Sequence, residues 1–253
     1  KDLLLSRRRA NKKMRAPLNH ERSPVLSPAV EAIEKAILNP FCGVYVHWGP
    51  IGSGKTVALQ DMTVIMQSKG YIVKYLDAKD KGVQSNEKPK FIDWLRSGLG
   101  LYFGRYTADF ESFLPKSKAG PTVIIIDHFE DFMMTVNAVA VIKGLCRDAV
   151  EKRTYKIVLG VSGWKQALKI LNWSGGEKIR LAASAGCGRW DIDRINAIAA
   201  LEPHFTTLSD EERAEIIRLG AVSGSPSVFH EMVYTGPDEA KALMVQQQYA
   251  EGT

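Results

Sequence analysis

Gly49-Pro-Ile-Gly-Ser-Gly-Lys-Thr56 is the stretch on which the reading of this chain turns. Gly49, Gly52 and Gly54 admit backbone conformations that a Cβ closes. Successive N–H groups in such a loop turn inward and form a concave nest for an anion. The apolar run Val44-Tyr-Val-His47 precedes the loop, and Lys55–Lys69 reads as a helix ended by Gly70. A strand, a glycine loop and a helix in that order place the positive end of the helix behind the nest. Lys55 adds a cation and Thr56 a hydroxyl. The pattern G-x-x-x-x-G-K-[ST] is a phosphate cradle, with the lysine on β- and γ-phosphates and the hydroxyl on Mg²⁺. Gly49, Pro50, Ile51, Gly52, Ser53, Gly54, Lys55 and Thr56 are therefore the candidate nucleotide-binding residues, with ATP preferred over GTP.

A metal–nucleotide site needs a carboxylate from another strand. Thr122-Val-Ile-Ile-Ile-Asp127 supplies one, a continuous apolar run suited to a strand buried on both faces, with aspartate at its end. Ligands of open α/β sheets bind at the carboxyl ends of the strands. Thr56 and Asp127 are thus the candidate metal residues. Asp127 lies 71 positions after Thr56, which leaves room for a strand and its helices, so the strand of Asp127 is expected beside the strand of the cradle.

Outward from these two motifs, strands and helices alternate. Strands are predicted over residues 71–76, 156–161 and 178–182, and helices over 91–103, 134–152 and 164–171, with a short helix begun by Ser27-Pro28 and stopped at Asn39-Pro40. This βα alternation predicts an α/β fold with a parallel sheet and helices on both faces. Beyond residue 185 only helical patterns remain, over 192–201, 210–219 and 225–233. Ser209-Asp-Glu-Glu212 reads as a capping box, Gly220 as a helix end and Gly224-Ser-Pro226 as a helix start. The organisation expected is a basic arm (1–26), a nucleotide-binding core (27–184) and a small helical lid (185–253).

Of the 253 residues 45% are apolar and 25% charged, as in ordinary globular proteins, and no apolar run reaches the length of a membrane span. The net charge of +6 is local. Of 34 Lys and Arg, eight lie in residues 1–22; of 28 Asp and Glu, two do. The remainder, with 26 of each sign, is neutral. The pI of about 9.1 describes a tail, and a neutral body argues against electrostatic nucleic-acid binding by the body alone. The arm reads as a solvated linker, a localisation signal or a dock for an anionic partner. Three cysteines without a C-x-x-C pair argue against a disulfide framework or structural zinc and for a reducing, intracellular compartment, cytoplasm or nucleus.

Gly49–Thr56 resembles the Walker A motif, and Val123–Asp127 the Walker B motif, of the additional-strand P-loop ATPases. Over about residues 28–235 the order of strands and lid is similar to that of AAA+ proteins and their signalling relatives, the STAND ATPases. The resemblance implies ATP and Mg²⁺ as ligands, a homo-oligomer, and a protein or nucleic-acid client. It also implies a glutamate directly after the Walker B aspartate, where this chain has His128. Glu130 is then the candidate that polarises the attacking water, with His128 as the alternative base or with no efficient base at all. Ser162, after the strand 156–161, matches the sensor 1 position, although it also suits a helix cap. Arg189, in Gly186-Cys-Gly-Arg189, is the candidate arginine finger, ahead of Arg180 and Arg194. No arginine stands at Gly224-Ser-Pro-Ser227, where a sensor 2 arginine is usual. Ser174-Gly-Gly-Glu177 resembles part of the ABC transporter signature but follows Asp127 instead of preceding it, and reads as a turn. Trp164, Trp173 and Trp190 read as core or interface residues in preference to base-stacking ones.

Three functions fit. One is a cycling ATPase that works on a protein or nucleic-acid partner. Another is a slow or non-hydrolysing nucleotide-dependent switch. A small-molecule kinase fits least, given the strand after the cradle and the long helical C-terminus.

Overall fold

Four of the five strands that the computed structural model describes arise where β-branched and aromatic residues run together, the fifth being Ala183-Ser-Ala-Gly186, and all five are parallel. The structure describes residues 22–50, 52–79, 88–99, 118–133, 136–171 and 183–236. The basic arm up to residue 21, Ile51, Trp173, Ser174–Glu177 and Arg180 lie outside them.

In chain order the elements are α1 (Ala29–Leu38), β1 (Val44–Trp48), α2 (Lys55–Ser68), β2 (Val73–Asp77), α3 (Lys88–Leu99), β3 (Thr122–Asp127), a 3₁₀ turn (Phe129–Phe132), α4 (Val136–Lys152), β4 (Tyr155–Val161), α5 (Trp164–Leu171) and β5 (Ala183–Gly186). Then come α6 (Ile192–Ala199), a second 3₁₀ turn (Pro203–Thr207), α7 (Asp210–Ser223) and α8 (Pro226–Thr235). The strand expected over 178–182 lies outside the described residues, and β5 is described from Ala183. It runs to Gly186, so the sheet reaches past residue 184.

The strand order is β2-β3-β4-β1-β5. The strand of Asp127 is therefore not the neighbour of the cradle's strand, because β4 lies between them. Tyr155 pairs with Thr122 on one side, and Ile157 with Val44 on the other. Every residue of β4 is buried, as a strand flanked on both edges and covered on both faces requires.

Side-chain alternation divides the core between the two faces of the sheet. Val44 and Val46, Ile124 and Ile126, and Ile157 and Leu159 face a cluster with residues of α3, α4 and α5. Tyr45, Val123, Ile125 and Val158 face a cluster with α1 and α2. A third cluster, with Trp190, Ile195, Phe205, Leu219, Phe229 and Met232, belongs to the C-terminal helices.

Local signals end these helices where chain chemistry dictates. Asn39 leaves helical backbone (ψ 116°) before Pro40, which disfavours a helical predecessor. The capping box at α7 forms: Ser209 Oγ accepts from Glu212 N–H at 3.2 Å, and the Glu212 carboxylate accepts from Ser209 N–H at 2.9 Å. Gly220 does not end the helix. It lies inside α7 because a Cβ there would stand 3.2 Å from both Ile195 and Phe229, and Gly224 (φ 63°) makes the cap.

Candidate functional site

The loop between β1 and α2 leaves the sheet through Gly52 (φ 81°) and Gly54 (φ 87°), both in the left-handed region that side chains disfavour. Ser53 Oγ donates to Pro50 O at 2.8 Å and closes the turn. Gly49 has no room for a Cβ, which would lie 2.8 Å from Ser53 Oγ and 3.0 Å from Cys187 Sγ. Lys55, 8% exposed, folds back over the loop and donates Nζ–H to Gly49 O at 2.7 Å and Pro50 O at 2.8 Å. Burial lowers its pKa, and the charges of Glu130 and Asp127 work against that shift. The ammonium is thus stored on two carbonyls at the mouth of the loop. It retains a third N–H and sits where an anion would compete for it.

Asp127 is wholly buried at the end of β3. Its Oδ2 accepts from Tyr75 O–H at 2.9 Å and its Oδ1 from His128 N–H at 2.8 Å. Burial, and then the adjacent Asp127 charge, push the Tyr75 phenol far up, so it stays a donor at every physiological pH. Gly160 of β4 leaves the space beside the carboxylate open, since a Cβ there would stand 2.7 Å from Oδ1.

His128 takes a left-handed backbone (φ 52°, ψ 37°). Its Nδ1 lies 2.9 Å from Asp77 Oδ1 at the end of β2, so the ring is engaged there. The left-handed step starts the 3₁₀ turn Phe129–Phe132, anchored by the buried Phe129 and Phe132. That turn carries Glu130 to Ser162, whose Oγ donates to Glu130 Oε1. Glu130 Oε2 is buried and has no hydrogen-bond partner among the described residues. Burial raises the Glu130 pKa, while its own backbone amide, His128 and Lys55 pull it down. Lys55, Asp127 and Glu130 interact electrostatically, so the structure draws together the start of α2, the end of β3 and the turn that follows it. Ser162, directly after β4, donates its hydroxyl to Glu130.

The C-terminal helices reach the loop directly. Trp190 Nε1–H donates to Ser53 O at 3.3 Å, Ser225 Oγ to Gly52 O at 3.2 Å and Ser227 N–H to Gly52 O at 3.4 Å. Pro226 at the first position of α8 and the Ser225 cap aim that helix start at the loop. Cys187 Sγ lies 3.1 Å from His47 Nε2 of β1. Burial pushes this thiol up, which keeps it protonated. Of these features only the helix start at Gly224-Ser-Pro226 is legible in the sequence. Trp190 is buried, as expected for a core residue, whereas Trp164 is 45% exposed. A cleft of about 640 Å³ opens beside the loop, lined by Gly49, Ser53, Ser162, Trp164, Lys165, Arg189 and Ser225 among others. Arg189 is exposed on its rim. Arg194 instead pairs with Asp191, which caps α6.

The strand order, with β4 between the strand of the glycine loop and the strand of Asp127, decides the architecture. This is the fold of a P-loop ATPase. Solved structures with the same fold include the ORC2 protein of Aeropyrum pernix in ADPNP–ADP complexes. It is 14% identical, with a TM-score of 0.54, over 89% of this chain and 66% of that one. A Walker-type ATPase of Pyrococcus abyssi is 12% identical, with a TM-score of 0.55, over 92% of this chain and 78% of that one. No protein-family model matches the sequence, and no curated protein does. Among the described residues no helix is long and apolar enough to cross a membrane.

Proposed function

We propose that this P-loop chain is an AAA+-like ATPase that binds ATP with Mg²⁺. It couples binding and hydrolysis to a change in how the C-terminal helices sit on the loop, and so acts on a protein or nucleic-acid partner, as a homo-oligomer. The observation that carries the proposal is the convergence of Lys55, Asp127 and Glu130, with the C-terminal helices hydrogen-bonded to the carbonyls of that same loop. Residues 49–56 hold the phosphates. Lys55 exchanges its two carbonyl partners for phosphate oxygens, a charge-assisted and stronger pairing. Glu130, through its unpartnered Oε2, accepts a proton from the attacking water, while Ser162 fixes its orientation. His128, held through Nδ1 by Asp77, keeps Nε2 as the alternative base.

The residues present suit Mg²⁺. Asp127 accepts one hydrogen bond on each oxygen and keeps lone pairs on both, and Thr56 offers a hydroxyl in the first turn of α2. Among the described residues no group of three or more His, Cys, Asp or Glu could cage a metal alone. That matches an ion held by one carboxylate and by phosphate oxygens. When bound, the ion neutralises charge on the β- and γ-phosphates.

A second reading, a slow STAND-type switch, is favoured by one observation: the Ser162 bond restrains Glu130. A reducing, intracellular setting accompanies either reading and accords with three free, buried cysteines. ATP binding and turnover by the purified protein test the proposal. Lys55→Ala is expected to lower ATP affinity by about 100-fold, and wild-type affinity in that variant would remove the site. Tight ATP binding with negligible turnover selects the switch.

A further inference from the structure

We infer that Arg189 serves the nucleotide bound by its own chain, reading the γ-phosphate in cis and not reaching into a neighbouring subunit. This deepens the reading of residues 49–56 as an ATP site and rests on it.

The argument begins with how the segment 187–190 is held. Cys187 N–H donates to Trp48 O at 2.8 Å, at the end of the strand that feeds the loop. Trp190 N–H donates to Gly224 O at 3.1 Å, and its indole donates to Ser53 O at 3.3 Å. Both flanks of the short span Gly188-Arg189 are thus tied to the loop or to the helix start that touches it. Cys187 and Trp190, both buried, face inward, and Arg189 between them is exposed.

The Arg189 stem is also fixed. It fills the notch left by Gly224, where a Cβ would stand 2.8 Å from Arg189 Cγ and 2.9 Å from its Cβ. From that seat the side chain lines the same cleft as Gly49, Ser53, Ser162 and Ser225. Among the described residues, the ionisable side chains that line this cleft are cationic, Arg189 and Lys165, apart from the protonated thiol of Cys187, and no carboxylate lines it. Arg189 forms no ion pair among the described residues, unlike Arg194, Arg213 and Arg218, which pair with Asp191, Asp210 and Glu215. An uncompensated guanidinium at the rim of a cleft that borders a phosphate loop is suited to a bidentate grip on phosphate oxygens. It stands in the same molecule as that loop. The first turn of α8, which also touches the loop, brings Ser225, Pro226 and Ser227 and no cation.

The test is nucleotide affinity, which needs no turnover. Mg²⁺–ATP and Mg²⁺–ADP are titrated into wild type and Arg189→Ala over a dilution series of protein. Loss of a charge-assisted pair predicts about tenfold weaker ATP binding with ADP changed less than about threefold, equal at every protein concentration. Arg189→Lys, which keeps the charge, is expected to recover part of the loss. Adding excess Lys55→Ala, which carries an intact Arg189, leaves the Arg189→Ala defect in place. The inference is overturned if the defect vanishes on dilution, if Lys55→Ala chains repair it, or if ATP affinity never changes. A wild type that binds neither nucleotide would instead remove the ATP-site reading itself.

Discussion

After β1 the chain turns through Gly52 and Gly54 (φ 81° and 87°), and after β3 it turns through His128 (φ 52°). Both turns use left-handed backbone at the carboxyl ends of buried parallel strands, yet they meet its cost in different ways. At the first, glycine has no Cβ to clash, and the shape follows from residue type. At the second, a histidine in that region carries about 1–2 kcal/mol of backbone cost. Two contacts offset it, His128 N–H to Asp127 Oδ1 and the ring to Asp77. The first turn shapes a cradle out of backbone. The second aims a side chain, Glu130, at Ser162. The lesson is that one conformational region serves two ends, and the residue filling it tells which.

The sharpest break in this comparison comes at the side chain that the second turn aims. Glu130→Gln keeps the hydrogen bond from Ser162 and loses the base. Turnover should fall about 100-fold or more with ATP affinity nearly unchanged; equal turnover would show that the turn after β3 aims nothing catalytic. Next is the backbone of the first turn. Gly54→Ala places a Cβ at φ 87°, and ATP affinity should fall about tenfold, by the 1–2 kcal/mol of that strain. Then comes the second turn's own backbone, read on stability and not on affinity. In chemical denaturation His128→Gly should change stability by less than about 1 kcal/mol, because relieved strain and lost contacts oppose each other. His128→Val, with its branched Cβ, should lose about 2 kcal/mol. Equal effects from Gly and Val would mean that the strain is absent.

The smallest effect is a shift along the pH axis. Burial holds the Glu130 carboxyl above the ordinary glutamate value. Protonated, it cannot take a proton from water, so turnover should decline as pH falls through that raised value. The acidic limb of the rate profile then lies above the usual glutamate range and is lost in Glu130→Gln. The stability sign is opposite. The folded chain keeps this proton to higher pH than the unfolded one, so the contribution of Glu130 to stability is fullest below the ordinary value and fades as pH rises through the raised one.

What could be read from the sequence was local. Residues 49–56 carry their loop in their glycines, Thr122–Asp127 its buried strand in a continuous apolar run, and Ser209–Glu212 its cap in adjacent side chains. The interposition of β4 was not readable, because Tyr155–Val161 is apolar enough for any interior place in the sheet, and pairing is decided across long loops. The geometry around the carboxylates was not readable either. Tyr75 meets Asp127 across 52 positions and Ser162 meets Glu130 across 32. Trp190 reaches Ser53 across 137, and Ser225 reaches Gly52 across 173. No periodicity encodes such meetings; they exist only once the sheet has assembled. Gly220 misled because the same residue serves helix ends and tight helix crossings, and Ile195 and Phe229 made it the latter.

The bonds from Trp190, Ser225 and Ser227 to the carbonyls of Gly52 and Ser53 have one more consequence. Those two peptide units belong at once to the glycine loop and to the seat of the C-terminal helices. Order gained on one side is therefore shared by the other as thermodynamic linkage, and in both directions. Loosening the C-terminal helices from within, at the buried Phe229 or Met232, reaches the loop as weaker hold on whatever it binds, although neither side chain lines the cleft beside it.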